Sequence, residues 1–475
     1  MEYDVVVGIE IHIELKTATK MFSSAPYAFK KASNTCVSEV DLALPGTLPC
    51  VNKEAVRKSI EACTALHLNI DPLVKFDRKN YYYTDLPKGY QITQQFHPIG
   101  RDGYVEIVKA DGTKKKIRIN RIHMEEDTAK QFHLHDETLI DYNRAGVPLI
   151  EIVSEPDLTS GEEAALYVEK LRQIMDYLGV SDVKMEEGSM RCDTNISIKE
   201  KGSKVFGTKV EIKNLNSIAN IQTAVDYETK RQAELIEKGE EIVQETRRFD
   251  EKSQTTITMR KKEGSVDYKY FPEPNIFPIR LSDAFIKEVQ DNMPELPEAK
   301  ALRYEEEYGL SAYDISVLLA NKALCLYYED VMKEAKNAKT ACNLLTSELV
   351  GVLTKANQTI EDNPISATNF AKLVNMLESN KISSKQAKEI LPLMIDGKDP
   401  ETIASEKGME QLSDESAIIA LVNEVLDENE QSIIDFKNGK THAQGYLVGQ
   451  VMKKSKGKAN PKLAAQLVAS ELAKR

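Results

Sequence analysis

Residues 147–153 read Val-Pro-Leu-Ile-Glu-Ile-Val, an apolar run of strand length with one carboxylate at its centre. Successive side chains of a strand point to opposite faces, so Glu151 shares a face with Leu149 and Val153. A carboxylate held among aliphatic groups is costly unless a cation or a donor satisfies it. A neighbouring arginine such as Arg144 would make Glu151 a structural ion pair; a bound cation would make it part of a site. Upstream, the run Arg-Ile-His-Met-Glu-Glu-Asp (121–127) sets Glu125, Glu126 and Asp127 side by side.

Three more segments repeat the pattern. In 4–16, Val5, Val7, Ile9, Ile11 and Ile13 take one face and Glu10, His12 and Glu14 the other. In 191–199, Arg191, Asp193, Asn195 and Ser197 oppose Cys192, Thr194, Ile196 and Ile198; in 208–214, Lys209, Glu211 and Lys213 oppose Val210 and Ile212. One such strand describes a solvated sheet face. Several together ask for a charged ligand. Carboxylates with one histidine and no cysteine favour a hard cation, Mg²⁺, over zinc. Lysines and arginines around it suggest a nucleotide. Neither a GxxxxGK[ST] loop nor a GxGxxG turn is present, so an ATP site here is neither P-loop nor Rossmann. In 76–91, Arg78, Lys79 and Lys88 are interleaved with Tyr81, Tyr82, Tyr83 and Tyr90. Aromatic rings stack bases while lysines hold phosphates, although a tyrosine-rich edge strand has the same composition. Arg247, Arg248, Arg260, Lys261 and Lys262 are further candidates for polyphosphate or RNA.

A chain of 475 residues exceeds a single core. Helices are expected over 54–68, over 160–179 (Ser160 and Glu163 as a capping box, Gly179 at the end) and over 217–238. A boundary falls near Pro294, and beyond it the pattern is helical. Ser383 with Gln386 makes a capping box, Ile418, Leu421, Val422 and Val425 form a stripe, and Asn460-Pro461 opens a last helix. The net charge of −12 argues against nucleic acid, but residues 437–475 hold nine Lys and Arg against one acid, Glu471. A basic tail on an acidic body reads as a phosphate-binding end. No apolar run approaches the roughly 18 residues of a membrane span. The first residues enter a strand without a signal-peptide pattern, and six cysteines without a CxxC pair point to a reducing, cytoplasmic location. Cys36 and Cys50 read as structural.

Motifs along the whole chain resemble the B subunits of the bacterial Glu-tRNA(Gln)/Asp-tRNA(Asn) amidotransferases. They include GIEIHIELKT, LALPGTLPCVN, RKNYYYTDLPKGYQITQ, RIHMEED, DYNRAGVPLIEIVSEPD, KMEEGSMRCDTNISI, TKVEIKNLNS, DYKYFPEP and GYLVGQVMKKSKGKANP. The resemblance implies an α+β fold: a mainly antiparallel, glutamine-synthetase-like cradle domain over 1–294, an all-α domain over 295–405, and a basic helical tail similar to the YqeY proteins over 406–475 that contacts tRNA. It implies a ligase that phosphorylates the side-chain carboxylate of misacylated tRNA with ATP and amidates it with ammonia. A glutaminase A subunit would supply that ammonia, and a small C subunit would complete a heterotrimer. His12, Glu125 and Glu151 become the expected ligands of a first Mg²⁺, with Glu10, Asp193 and Glu211 as candidates for a second. Lys79, Lys88, Lys209 and Arg191 are the expected phosphate or carboxylate contacts, and Tyr82 or Tyr83 a stacking surface. Glu125, Glu151, His12 and Lys79 would carry the chemistry. Many family members bind zinc through two cysteine pairs after the motif KMFS, residues 20–23 here; only Cys36 and Cys50 stand in this chain, so no zinc is expected. Thr128-Ala129 replaces a common Ala-Gly. The rival readings are a carboxylate–amine ligase for a free amino acid, which has no need of the basic tail, and a non-catalytic tRNA-binding scaffold, which leaves Glu125 and Glu151 unexplained.

Overall fold

The computed structural model describes residues 2–27, 31–261, 267–409, 415–437, 442–455 and 459–475. Lys262, Lys440, Lys456 and Lys458, candidate phosphate contacts or basic-tail residues by sequence, lie outside them. The chain divides into two compact units, Met1–Pro297 and Glu298–Arg475.

The first unit runs β1 (Tyr3–Glu14), α1 (Lys53–Ala65), β2 (Asn69–Ile70), β3 (Leu73–Val74), β4 (Asp77–Asn80), β5 (Tyr90–Thr93), β6 (Gly100–Val108), β7 (Lys114–Glu126), β8 (Lys130–His133), β9 (Thr138–Asp141) and β10 (Pro148–Ser154). It continues through α2 (Gly161–Leu178), β11 (Met190–Glu200), β12 (Val210–Lys213), α3 (Ile218–Glu237), β13 (Glu245–Asp250), β14 (Thr255–Lys261), β15 (Phe271–Pro272), β16 (Ile279–Arg280) and α4 (Asp283–Asp291). Nine strands form one sheet in the order β14-β13-β12-β11-β1-β10-β7-β6-β2. Its pairs are antiparallel except β12 with β13.

β1 is central because its alternation is nearly perfect. Val7, Ile9, Ile11 and Ile13 are at most 1% exposed and enter the core, whereas Val5 packs at its rim. Ile150 and Ile152 of β10, Ile122 and Met124 of β7, and Cys192 and Ile196 of β11 join them, and α1, α2 and α3 cover this face with Ile60, Leu171, Ile174 and Val225. Each fully buried aliphatic side chain contributes about 1.5–3 kcal/mol, so the register that keeps these residues inside also turns every alternate residue to the opposite face. α2 starts on the expected cap, with the Ser160 side chain accepting from the Glu163 N–H, and ends on left-handed Gly179 at φ 69°. The reciprocal half of the capping box differs: the Glu163 carboxylate accepts from Thr159 and Lys115.

Among its described residues the second unit is helical. The Ser383–Gln386 capping box forms with both of its hydrogen bonds. Ile418, Val422 and Val425 pack with Leu447, Val451 and Val468, while Leu421 is half-buried. Part of the basic tail is neutralised locally: Lys454 contacts Glu424 at 2.9 Å and Glu428 at 2.6 Å, and Arg475 contacts Asp427 at 2.5 Å. Lys453 and Lys462 remain exposed.

Candidate active site

The polar face of the sheet is organised by register. His12 of β1 lies opposite Glu151 of β10 on one side and Arg191 of β11 on the other, and Glu151 lies opposite His123 of β7. These four therefore form one row across four strands. Arg121, Val153, Glu10 and Asp193 form a parallel row one step away, and Glu125, Leu149 and Glu14 form another.

His12 Nε2 stands 3.3 Å from Glu125 Oε1 and 3.6 Å from Glu151 Oε2. His123 Nε2 stands 2.9 Å from Glu151 Oε2 and 3.5 Å from Glu125 Oε2. Burial opposes the charged form of His123, but the Glu151 and Glu125 carboxylates outweigh it and raise its pKa to about 9. His12 is raised by the same balance. Burial alone would raise Glu151, yet His123 and then His12 bring it to about 2, and both imidazoles hold Glu125 well below the carboxylate range. Glu151 is thus satisfied by two histidines; Arg144 instead contacts Asp127 at 3.6 Å and donates to the carbonyls of Thr128 and Ala129.

The donor atoms of His12, Glu125 and Glu151 lie within 4.8 Å of one another, the one such group among the described residues. Ligands about 2.1 Å from an octahedral hard cation are about 3 Å apart, so small closures of these side chains would seat one. The group fits a divalent cation and leaves coordination positions for outside oxygens. A cavity of about 460 Å³ opens beside it, lined among others by Lys79, Tyr81, Asp127, Arg191 and Lys213. A second, of about 320 Å³, lies against Gly8, Glu10, Val153, Phe206 and Lys209.

The structure sorts the remaining sequence candidates. Lys79 lines the first cavity with its ammonium over the Tyr268 ring at 4.9 Å, and Arg191 lines it while gripping Asp127 at 2.8 and 3.3 Å. Lys209 borders the second cavity. Lys88 is drawn away: it pairs with Glu126, whose side chain leaves on the opposite face and also accepts from the Ile92 N–H at 2.9 Å. Tyr82 and Tyr83 are 93% and 62% exposed and line neither cavity, a place that Tyr81 takes. Glu10, Asp193 and Glu211 do not gather as a second ion site. Lys213 is seated against Asp193 and 3.5 Å from Glu211, while Glu10 accepts from Asn195 at 3.0 Å. Arg247, expected to face polyphosphate, is buried in a network with Glu245, Thr256 and Thr258.

Sequence reasoning misses His123, which stands at the cluster, and Lys213, which lines the first cavity. The alternation that singles out Glu125 also puts His123 and Arg121 on its face, at two and four residues before it. Lys213 is recognisable from sequence as a face residue, but its partner depends on strand register.

A mainly antiparallel sheet whose polar face carries a carboxylate–imidazole cluster, with cations across an open cavity, has the charge distribution of a site for an anionic substrate. The sequence model of the GatB/GatE catalytic domain matches residues 5–287, and that of the GatB domain matches residues 326–472. The chain belongs to the family of amidotransferase B subunits. It is 48% identical over 474 residues to the B subunit of the aspartyl/glutamyl-tRNA(Asn/Gln) amidotransferase of Oceanobacillus iheyensis, covering 99% of both chains. To the proteins of that name from Bacillus mycoides and Bacillus licheniformis it is 48% and 49% identical, over all of each chain.

Proposed function

We propose that the chain is the carboxylate-activating subunit of a tRNA-dependent amidotransferase, a ligase of translation. It transfers the γ-phosphoryl group of ATP to the side-chain carboxylate of Glu-tRNA(Gln), Asp-tRNA(Asn) or both, and ammonia then displaces the phosphate to give Gln-tRNA(Gln) or Asn-tRNA(Asn). The observation that carries the reading is the His12–Glu125–Glu151 cluster beside cation-lined cavities, in a chain alike end to end to proteins named as amidotransferase B subunits.

In the first step a carboxylate oxygen attacks the γ-phosphorus, its new O–P bond forming as the bond to the β,γ-bridging oxygen breaks and ADP leaves. In the second, the ammonia nitrogen attacks the acyl carbon, the C–O bond to phosphate breaks, and a proton passes from nitrogen to the departing phosphate or solvent. The obstacle to the first step is charge: like charges about 4 Å apart cost roughly 4 kcal/mol at an effective dielectric of 20. His12, Glu125 and Glu151 would hold Mg²⁺, which would neutralise phosphate charge where the two anions meet. Lys79 faces the phosphoryl group from across the cavity. Arg191, fixed by Asp127, presents its remaining edge to the substrate carboxylate. Lys209 borders the cavity that takes the nucleoside end of ATP, where Gly8 leaves room and Phe206 supplies a ring. Lys88, Tyr82 and Tyr83 leave the contact set.

In this reading residues 1–294 are the cradle, 295–405 a helical domain and 406–475 a tail that holds tRNA. A glutaminase A subunit and a small C subunit complete the heterotrimer, and the setting is cytoplasmic. Among the described residues no helix is long and apolar enough to cross a membrane.

The test is ATP cleavage by the reconstituted enzyme with Glu-tRNA(Gln), with uncharged tRNA, and with the Glu125→Gln chain. Cleavage that requires the misacylated tRNA and is lost in the variant supports the reading. Cleavage indifferent to tRNA favours a ligase for free amino acids, and undiminished cleavage in the variant removes the chemistry from this cluster.

A further inference from the structure

Several cations about the polar face already have an anion. Arg191 and Arg144 share Asp127, and Lys213 is held by Asp193 and Glu211. Arg121 differs. It sits on β7 two residues before His123 and opposite Val153, which borders the second cavity. Beyond Val153 the same row continues to Glu10 and Asp193. Among the described residues Arg121 makes no ion pair, and its Nε is buried without a hydrogen-bond partner. A buried guanidinium donor rarely goes unused. Tyr270 locates the group further. Burial first, then Tyr268, Glu151 and Glu125, push the Tyr270 hydroxyl up to about 12, while Arg121 acts in the opposite direction. Arg121 is therefore within electrostatic reach of the ring that also senses both carboxylates of the cluster.

We propose that Arg121 is a phosphate-binding residue of this site, its free edge reserved for oxyanions of the polyphosphate. The proposal rests on the reading that this face takes ATP, and it adds a contact that reading did not contain. A guanidinium suits the task because its planar fork meets two phosphate oxygens at once, which an ammonium cannot do. Its position also answers a need of the site. The cluster and its neighbours Glu10 and Asp193 are acidic, so an arriving polyphosphate requires cations that no carboxylate has already taken. Arg121 approaches from the β7 side, opposite the strands that carry Arg191 and Lys213.

The same chemistry could be supplied by the nucleotide or by the phosphates at the acceptor end of tRNA, and the test separates them. Full-length chain, as wild type, Arg121→Gln and Arg121→Lys, is titrated with Mg·ATP, with inorganic tripolyphosphate and with tRNA, and each variant's thermal melt is recorded. The expected result is an ATP and tripolyphosphate affinity lowered about 10-fold or more in Arg121→Gln, a partial recovery in Arg121→Lys, and unchanged tRNA affinity. Loss confined to tRNA keeps Arg121 as a phosphate ligand and assigns the phosphate to nucleic acid. Unchanged affinity for all three probes in a variant that melts like wild type overturns the proposal. Wild type that binds neither ATP nor tripolyphosphate refutes the ATP reading, and the tRNA arm then decides Arg121 by itself.

Discussion

Arg247→Met tests whether this arginine is a ligand contact or part of the frame. Its guanidinium donates to Thr256 Oγ1 at 2.8 Å, Glu245 Oε1 at 2.7 Å, Thr258 Oγ1 at 2.8 Å and the Thr256 carbonyl at 2.7 Å. It also stands 3.6 Å from Glu228, a carboxylate with no exposed surface. Summing four charge-assisted bonds at roughly 1.5–3 kcal/mol each would overshoot, because Arg231 also grips Glu228 and stays to neutralise it. The cost of breaking one partner out of a buried ionic network, about 3–5 kcal/mol, is the better figure. At about 2 °C per kcal/mol for a unit of this size, the melting transition of the first unit should fall by at least about 6 °C. Arg247→Lys should recover little, since an ammonium cannot span the two threonines and Glu245 together. The assay is thermal denaturation of the full chain followed by circular dichroism, with ATP and tRNA titrations run well below the transition. A variant that melts within about 2 °C of wild type while losing ATP or tRNA affinity would refute the structural assignment and restore Arg247 as a phosphate contact.

Other perturbations separate framework from site in the same way. Lys20→Met removes a side chain with no exposed surface from Asp41, 3.1 Å away, and should cost about 3–5 kcal/mol in a denaturant melt. Lys79→Ala should weaken ATP binding about 10-fold or more, whereas Lys88→Ala should leave it unchanged and lower the melting temperature by stranding Glu126, as calorimetric titration and a melt of each variant will show. Tyr82→Ala, at a residue 93% exposed, should leave ATP affinity unaltered; a large loss in the same titration would return the stacking role to it. Glu151→Gln should abolish tight Mn²⁺ binding in an equilibrium titration, because it removes a ligand charge from the His12–Glu125–Glu151 group; undiminished binding would dissolve the proposed ion site.

What the sequence could show follows from the range of its signals. Alternation is local, so the faces of β1, β10 and β11 were legible: the burial of Ile9, Ile11 and Ile152 and the polar placement of His12, Glu151 and Asp193 are set within each strand. His123 was legible too, since it stands two residues before Glu125 and so shares its face. Glu126 shows the limit of counting acids. It follows Glu125 directly, so the pleat sends it to the other face, and Lys88 follows it there. Composition saw a lysine among tyrosines and could not see which anion would claim it. Arg247 fails for the same reason, since its partner Glu228 comes from α3, a helix whose facing side chains are set by packing.

Lys213 carries this argument furthest. Glu10, Asp193 and Glu211 were grouped because each lies on the polar face of a strand, and that part is right. Yet a shared face does not make a shared site. Thr194 of β11 pairs with Ile212 of β12, so the next step along the ladder sets Asp193 across from Lys213, within the distance over which opposed side chains interact. The ammonium therefore reaches Asp193 and stands 3.5 Å from Glu211 as well, on a partly buried side chain. A lysine of the chain thus stands against two of the three carboxylates expected to hold a second ion. At the first cluster no lysine or arginine pairs with Glu125 or Glu151 among the described residues; the cationic partners there are histidines. A histidine can give up its proton and offer the ring nitrogen as a ligand, whereas a lysine beside two carboxylates stays charged. This difference in partner, set by strand register, separates the acids proposed to receive an ion from those already paired with a lysine.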